Sequence, residues 1–225
     1  MFKISILLIM VFLLFCCSAD KSKTEVKEVN ISQSIVVPDK PIALFNGTDL
    51  NNWTRIVADS TADVNAIWTI NDSVIHCTGA VNGYIRTNNA YKNYRLSVEW
   101  RWPAEPGNSG VLLHMNGDDM VWPKCIEAQL KSENAGDFYL INGTTMNEQV
   151  DPENRRVPKK EESSENAPGE WNRYEITCSD STITLMVNGK LQNTATGTSV
   201  QSGKICLQSE GKPIEFRKVV LGPLN

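Results

Sequence analysis

The sequence predicts an all-β chain folded as a two-sheet antiparallel sandwich or jelly roll. Short runs rich in β-branched and aromatic residues dominate it. Turn residues punctuate them at close intervals, and no stretch sustains a helical apolar period. The chain has 225 residues, 41% hydrophobic and 21% charged, enough for one sizeable core. A net charge of −4 and the lack of any Lys/Arg-rich segment argue against a nucleic-acid partner.

The first element is a targeting segment. Lys3 supplies a short basic start, and Ile4 to Phe15 is apolar apart from Ser5. That run is roughly a dozen residues, too short for a bilayer-spanning helix, which takes about 20. It ends at Leu14-Phe15-Cys16-Cys17-Ser18, which resembles a bacterial lipobox. Cys17 is the expected lipidation site, with Leu14 three positions before it and the small Cys16 just before it. Residues 1–17 are therefore expected to be a lipoprotein signal peptide. The protein is then exported and held in the cell envelope, periplasm or outer membrane, by its lipid anchor alone. An ordinary secretory signal is the plainer alternative. Residues 18–40 are polar, charged and weakly periodic, the composition of a flexible tether. Residues 41–225 are the expected folded domain.

Within that domain AIWTI (from Ala66), VIHC (Val74), YIRT (Tyr84), LSVEWR (Leu96), GVLLHM (Gly110) and CIEAQL (Cys125) read as strands. DFYLI (Asp137), YEITC (Tyr174), TITLMV (Thr182), KICLQ (Lys204) and IEFRKVVL (Ile214) follow. Asn188-Gly189 predicts a type I′ hairpin. Successive side chains of a strand face opposite ways. Leu96, Val98 and Trp100 then oppose Ser97, Glu99 and Arg101. Val111, Leu113 and Met115 oppose Leu112 and His114, and Ile126, Ala128 and Leu130 oppose Glu127, Gln129 and Lys131. If these strands share one sheet, its outer face carries two carboxylates, an imidazole, an amide and two cations, more titratable chemistry than solvation requires.

Two connections stand out. Gly117 to Lys124 carries Asp118, Asp119 and Trp122, while Asn142 to Gly169 is far longer and rich in Pro, Asn and charge. Cys77, Cys125, Cys178 and Cys206 lie inside strand-like runs, Cys125 and Cys206 on polar faces and Cys178 on an apolar one. Export permits disulfides, but free thiols serving as small strand residues suit these positions at least as well. The sequence contains no CxxC, HExxH, GxSxG or P-loop, which argues against a zinc ribbon, a metalloprotease, an α/β-hydrolase or an NTPase. No metal ligand set and no required cofactor are expected; a structural Ca²⁺ would suit the fold class, but the sequence does not demand one.

A family resemblance rests on motifs met in order. They are FNGTDLNNW (Phe45 to Trp53), WTINDSVIHCTG (Trp68 to Gly79), NSGVLLHM (Asn108 to Met115) and CIEAQLKSENAGDFYLI (Cys125 to Ile141). PGEWNRYEI (Pro168 to Ile176), MVNGK (Met186 to Lys190) and GKICLQSEGKPIEFRKVVL (Gly203 to Leu221) complete the set. Together they resemble the bacterial 3-keto-disaccharide hydrolase domain over nearly everything from Pro41 to Asn225. The resemblance implies a concanavalin A-like or laminin-G-like jelly roll with a curved sugar-binding face, a carbohydrate substrate, and chemistry on glycosides oxidised at C3. His114 departs from the family pattern, where Arg is frequent at that position.

A ketone at C3 acidifies the C2 hydrogen. Removing it gives an enediolate from which the C1 substituent leaves, and water adding to the resulting double bond completes a net hydrolysis. Such a site needs a base near C2, a donor for the enolate oxygen and an acid for the leaving oxygen. Glu127 is the first candidate for base or acid, with Glu99 as second carboxylate and His114 as proton shuttle or ketone polariser. Arg101, Gln129 and Lys131 are candidates for holding hydroxyls or the enolate oxygen. Asn108 and Gln208 are candidate hydroxyl ligands, and Trp122 a stacking platform. Arg86 and His76 are weaker candidates. Plain readings compete: Glu99 with Arg101 or Glu127 with Lys131 as surface ion pairs, His114 as a structural group and Trp122 as a loop anchor. Three other functions also compete. The chain is alternatively a non-catalytic carbohydrate-binding module, a glycosidase using Glu99 and Glu127 as its two carboxylates, or an interaction protein using its 142–169 loop.

Overall fold

Alternation organises the chain. The computed structural model describes residues 34–224; the expectations for residues 1–17, for Cys17 and for most of the tether lie outside the described residues. In chain order the elements begin with strands β1 (Ile35–Val36), β2 (Ile42–Ala43) and β3 (Trp53–Val57), then one short helix, α1 (Val64–Ile67). Strands β4 (Trp68–Asn71), β5 (Val74–Cys77), β6 (Gly83–Thr87), β7 (Ala90–Tyr91), β8 (Tyr94–Arg101), β9 (Gly110–Asn116), β10 (Lys124–Gln129) and β11 (Phe138–Ile141) follow. The last six are β12 (Arg156–Val157), β13 (Asn172–Ser179), β14 (Thr182–Val187), β15 (Lys190–Ala195), β16 (Lys204–Ser209) and β17 (Ile214–Gly222).

Two large antiparallel sheets result, and β1 pairs in parallel with β7. The first runs β12-β11-β10-β9-β16-β6-β3; the second runs β15-β14-β13-β8-β17-β5-β4, with β2 also paired to β17. In β8, Tyr94, Leu96, Val98 and Trp100 are buried between the sheets, where they meet Val111, Leu113, Ile126, Ala128 and Phe138 of the first sheet. Each such side chain contributes roughly 1.5–3 kcal/mol relative to exposure. The Asn188-Gly189 turn has φ of 50° and 80°, the left-handed pair a type I′ hairpin requires. Cys77, Cys125, Cys178 and Cys206 are all buried free thiols.

The long 142–169 connection is tied to the sandwich rather than left as an open loop. It contributes β12 to the edge of the first sheet. Lys159 N–H donates to Asp137, Lys160 N–H to the Gln192 carbonyl, and the Ser164 hydroxyl to the Val187 carbonyl.

Two sequence expectations about placement are corrected here. Glu99 and Arg101 do alternate outward, but β8 lies in the second sheet, so they project from the opposite side of the molecule from β9 and β10. His114 does not stay on the outer face. Register shifts on both sides of the strand mark a β-bulge around it, and its φ is 55°. The extra residue reverses the facing: Leu112 and Met115 share the outer face, while the His114 ring meets Tyr94 edge-on at 5.6 Å in the interior.

Candidate functional site

The outer face of the first sheet is built from cross-strand rows. Tyr139 pairs with Glu127, Glu127 with Leu112, Leu112 with Cys206, and Cys206 with Arg86. In the next row Gln129 pairs with Gly110, and Gln208 follows Leu207, the partner of Val111, which sets it beside Gly110. Part of this face is apolar: Tyr84, Leu112, Met115, Cys125, Ile141 and Cys206 form a second buried cluster under the 117–123 loop. Beside that cluster opens a hollow of about 310 Å³.

The missing side chain of Gly110 makes room for the Glu127 carboxyl. A Cβ there would lie 2.2 Å from Glu127 Oε1, so the carboxyl occupies space that any other residue would fill. Glu127, Gln129 and Gln208 are 4%, 3% and 1% exposed and form the floor. Around them stand Asn108, Trp122, Lys131, Tyr139, Arg155 and Glu210. Gln129 Oε1 accepts from the N–H groups of Leu130 and Lys131, which leaves its amide N–H groups turned to the hollow's side. Three floor and wall oxygens, Asn108 Oδ1, Glu127 Oε1 and Gln208 Oε1, are buried with no hydrogen-bond partner among the described residues. Each such group costs roughly 1–3 kcal/mol, and all three belong to residues lining this one hollow, the pattern of a site built for a polar ligand.

Electrostatics sharpen the picture. Burial, with the neighbouring Glu210 charge adding to it and Arg155 opposing, pushes the Glu127 carboxyl up to about 8. The group is thus poised to exchange a proton near neutral pH, as a general base or acid requires.

The structure brings together Glu127, Gln129, Lys131, Asn108, Trp122 and Gln208. It leaves three candidates out. Glu99 bonds Arg217 at 2.6 Å and Lys218 at 2.9 Å on the far sheet; burial works to raise it, but these two cations hold it below the usual carboxylate range. Arg101 bonds Glu215 at 2.5 Å, which also holds His76 at 2.9 Å, and stacks on Trp171. His114 is fully buried, its Nδ1 3.2 Å from the Val200 carbonyl, and burial pushes it down to about 4. A pair of catalytic carboxylates formed by Glu99 and Glu127 is therefore overturned. Tyr139, Arg155 and Glu210 were missed by the sequence reading. Tyr139 was legible, because FYLI alternates and Tyr139 shares the parity of Ile141; Arg155 and Glu210 sit in connections whose placement no periodicity encodes.

The sequence profile of the 3-keto-alpha-glucoside-1,2-lyase-like domain matches residues 40–222. No curated protein matches the chain significantly. Among solved structures, a candidate glycosyl hydrolase from Parabacteroides distasonis is similar, with 21% identity and a TM-score of 0.62 over 83% of this chain and 94% of that one. The carbohydrate-binding module CBM66 from Bacillus subtilis has 9% identity and a TM-score of 0.55 over 75% and 93%. A β-glucanase from Bacillus licheniformis has 13% identity and a TM-score of 0.55 over 80% and 96%. At these identities the likeness is one of fold.

Proposed function

From a chain that belongs to the 3-keto-alpha-glucoside-1,2-lyase-like family, we propose an enzyme that cleaves glycosides oxidised at C3 in the hollow around Glu127. The single observation that carries this reading is the buried, unpaired Glu127 carboxyl at the floor of a polar hollow. In its ionised form Glu127 takes the C2 proton, and the electron pair moves into the C2–C3 enolate. The C1–O bond then breaks, leaving a C1=C2 double bond conjugated to the ketone. Lys131 and the amide N–H groups of Gln129 are the donors for the enolate oxygen. Tyr139, paired with Glu127 across the sheet, is the candidate to protonate the leaving oxygen. Water adding at C1, with the proton returned to C2 by Glu127, completes a net hydrolysis. Asn108 and Gln208 hold hydroxyls.

Glu127→Gln tests the assignment. Turnover of a 3-keto-glucoside is expected to fall at least about a thousandfold, within the range for losing one acid/base group, with binding of a non-keto glucoside kept within about threefold. Unchanged turnover removes Glu127 from the mechanism. Binding without turnover in the parent protein would favour a carbohydrate-binding module instead.

For the whole protein we propose export and anchoring through a lipid on Cys17, on the strength of Lys3, the apolar run to Phe15 and the Leu14-to-Cys17 spacing.

A further inference from the structure

The hollow changes character along the strand direction. At one end lie Gln129 and Lys131, beyond Glu127 along the chain, with Asn108, Gln208 and Glu210 across from them. The other end is apolar. Ile141 pairs with Cys125, two residues before Glu127, and Trp122 stands beside it. Two residues of strand cover roughly 7 Å. A glycoside whose scissile bond sits at Glu127 and whose hydroxyls lie among the amides has its leaving group against Ile141 and Trp122.

The apolar end continues outward onto the 117–123 loop. Met120 and Trp122 are 47% and 41% exposed, two large apolar side chains on one short loop, and Trp122 lines the hollow. The loop that presents them is held at three points, one of them the Asn142 side-chain amide donating to Met120 Sδ at 3.6 Å. Arg86 Nε and Nη2 donate to Asp119 Oδ1 and Oδ2 at 2.6 and 2.8 Å, a two-pronged pair whose Arg86 side chain is only 13% exposed. The Tyr84 hydroxyl donates to the Met120 carbonyl at 3.0 Å. Exposed apolar area kept in place this firmly, and contiguous with a ligand hollow, has the character of a binding surface.

Building on the cleavage reading above, we propose that Trp122 and Met120 form the leaving-group subsite and select glycosides with an apolar, aromatic aglycone. Arg86 is its positioning residue: it touches no substrate and acts by fixing the loop through Asp119.

The test compares 3-keto-glucosides carrying a phenyl, a methyl or a second glucosyl aglycone. The parent is expected to prefer phenyl over both by about tenfold or more in kcat/KM. Trp122→Ala should erase that preference while leaving the methyl glucoside within about twofold. Arg86→Gln and Asp119→Asn should each raise KM for the phenyl substrate several-fold with kcat kept, and leave KM for the methyl substrate alone. Two such variants from opposite sides of one pair guard against a single folding failure. A parent without aglycone preference, a glucosyl preference, or a Trp122→Ala loss equal on all three substrates would overturn the subsite and leave the cleavage reading standing. If no 3-keto substrate is turned over, that reading falls instead, and calorimetric binding of phenyl against methyl glucoside decides the subsite: equal affinity overturns it, and tighter phenyl binding lost in Trp122→Ala upholds it.

Discussion

Glu127 and His114 are both buried titratable groups, and burial pushes them in opposite directions because it disfavours whichever form is charged. The Glu127 carboxyl rises from 4.5 to about 8, so at pH 7 most molecules hold it neutral. A base must be ionised, so kcat/KM is expected to climb about tenfold per pH unit below pH 8 and level off above it. A rate that falls through that range would make Glu127 the acid. His114 drops from 6.5 to about 4. Between those values the unfolded chain binds a proton that the folded one does not, so stability is present above pH 6.5 and is lost as pH falls toward 4, by on the order of 3 kcal/mol. His114→Phe keeps a ring against Tyr94 and removes the titration. Its urea midpoint should therefore change less between pH 6.5 and 4 than the parent's. Equal changes would place the acid sensitivity elsewhere.

Strand β9 carries two departures from regular pairing, each with its own consequence. The bulge at His114 turns an outward imidazole inward, which no alternation rule anticipates, because one inserted residue reverses parity beyond it. Gly110, at the strand's start, leaves the space that Glu127 fills. Gly110→Ala sets a methyl where Oε1 now lies, and the carboxyl, at the end of a flexible side chain, must swing away. Activity should drop tenfold or more, while unfolding free energy changes by less than about 1 kcal/mol, since Ala is no worse than Gly in a strand. A matching loss of both would mean that the substitution damages the sheet rather than the site. The alternation in CIEAQL, by contrast, was fully readable: Glu127 and Gln129 share the outer face and Ile126 and Ala128 the core, as their spacing requires.

The two sheets of the molecule separate two charged clusters that the sequence sets close together. Glu99 and Glu127 lie 28 positions apart on neighbouring hydrophobic patterns of the same kind. Yet the chain between β8 and β9 crosses from one sheet to the other, so the packed core stands between them. Glu99→Gln should then leave kcat/KM within about twofold and cost at most about 1 kcal/mol of stability, the scale of a partly exposed ion pair. A large activity loss would contradict the two-sheet separation of the site.

By itself the amino-acid order determined the all-β class, eleven of the strands, the inward faces of β8 and β10, the type I′ turn and the candidacy of Glu127, Gln129, Lys131, Asn108, Trp122 and Gln208. These depend on local spacing and side-chain chemistry, which a linear chain displays directly. Only the tertiary structure decided which sheet each strand joins, that Glu99, Arg101 and His114 stand away from the hollow, and that Tyr139, Arg155 and Glu210 enter it. Sheet membership is settled by pairing between distant strands, and a bulge by a register mismatch with both neighbours; neither quantity is a property of any one segment.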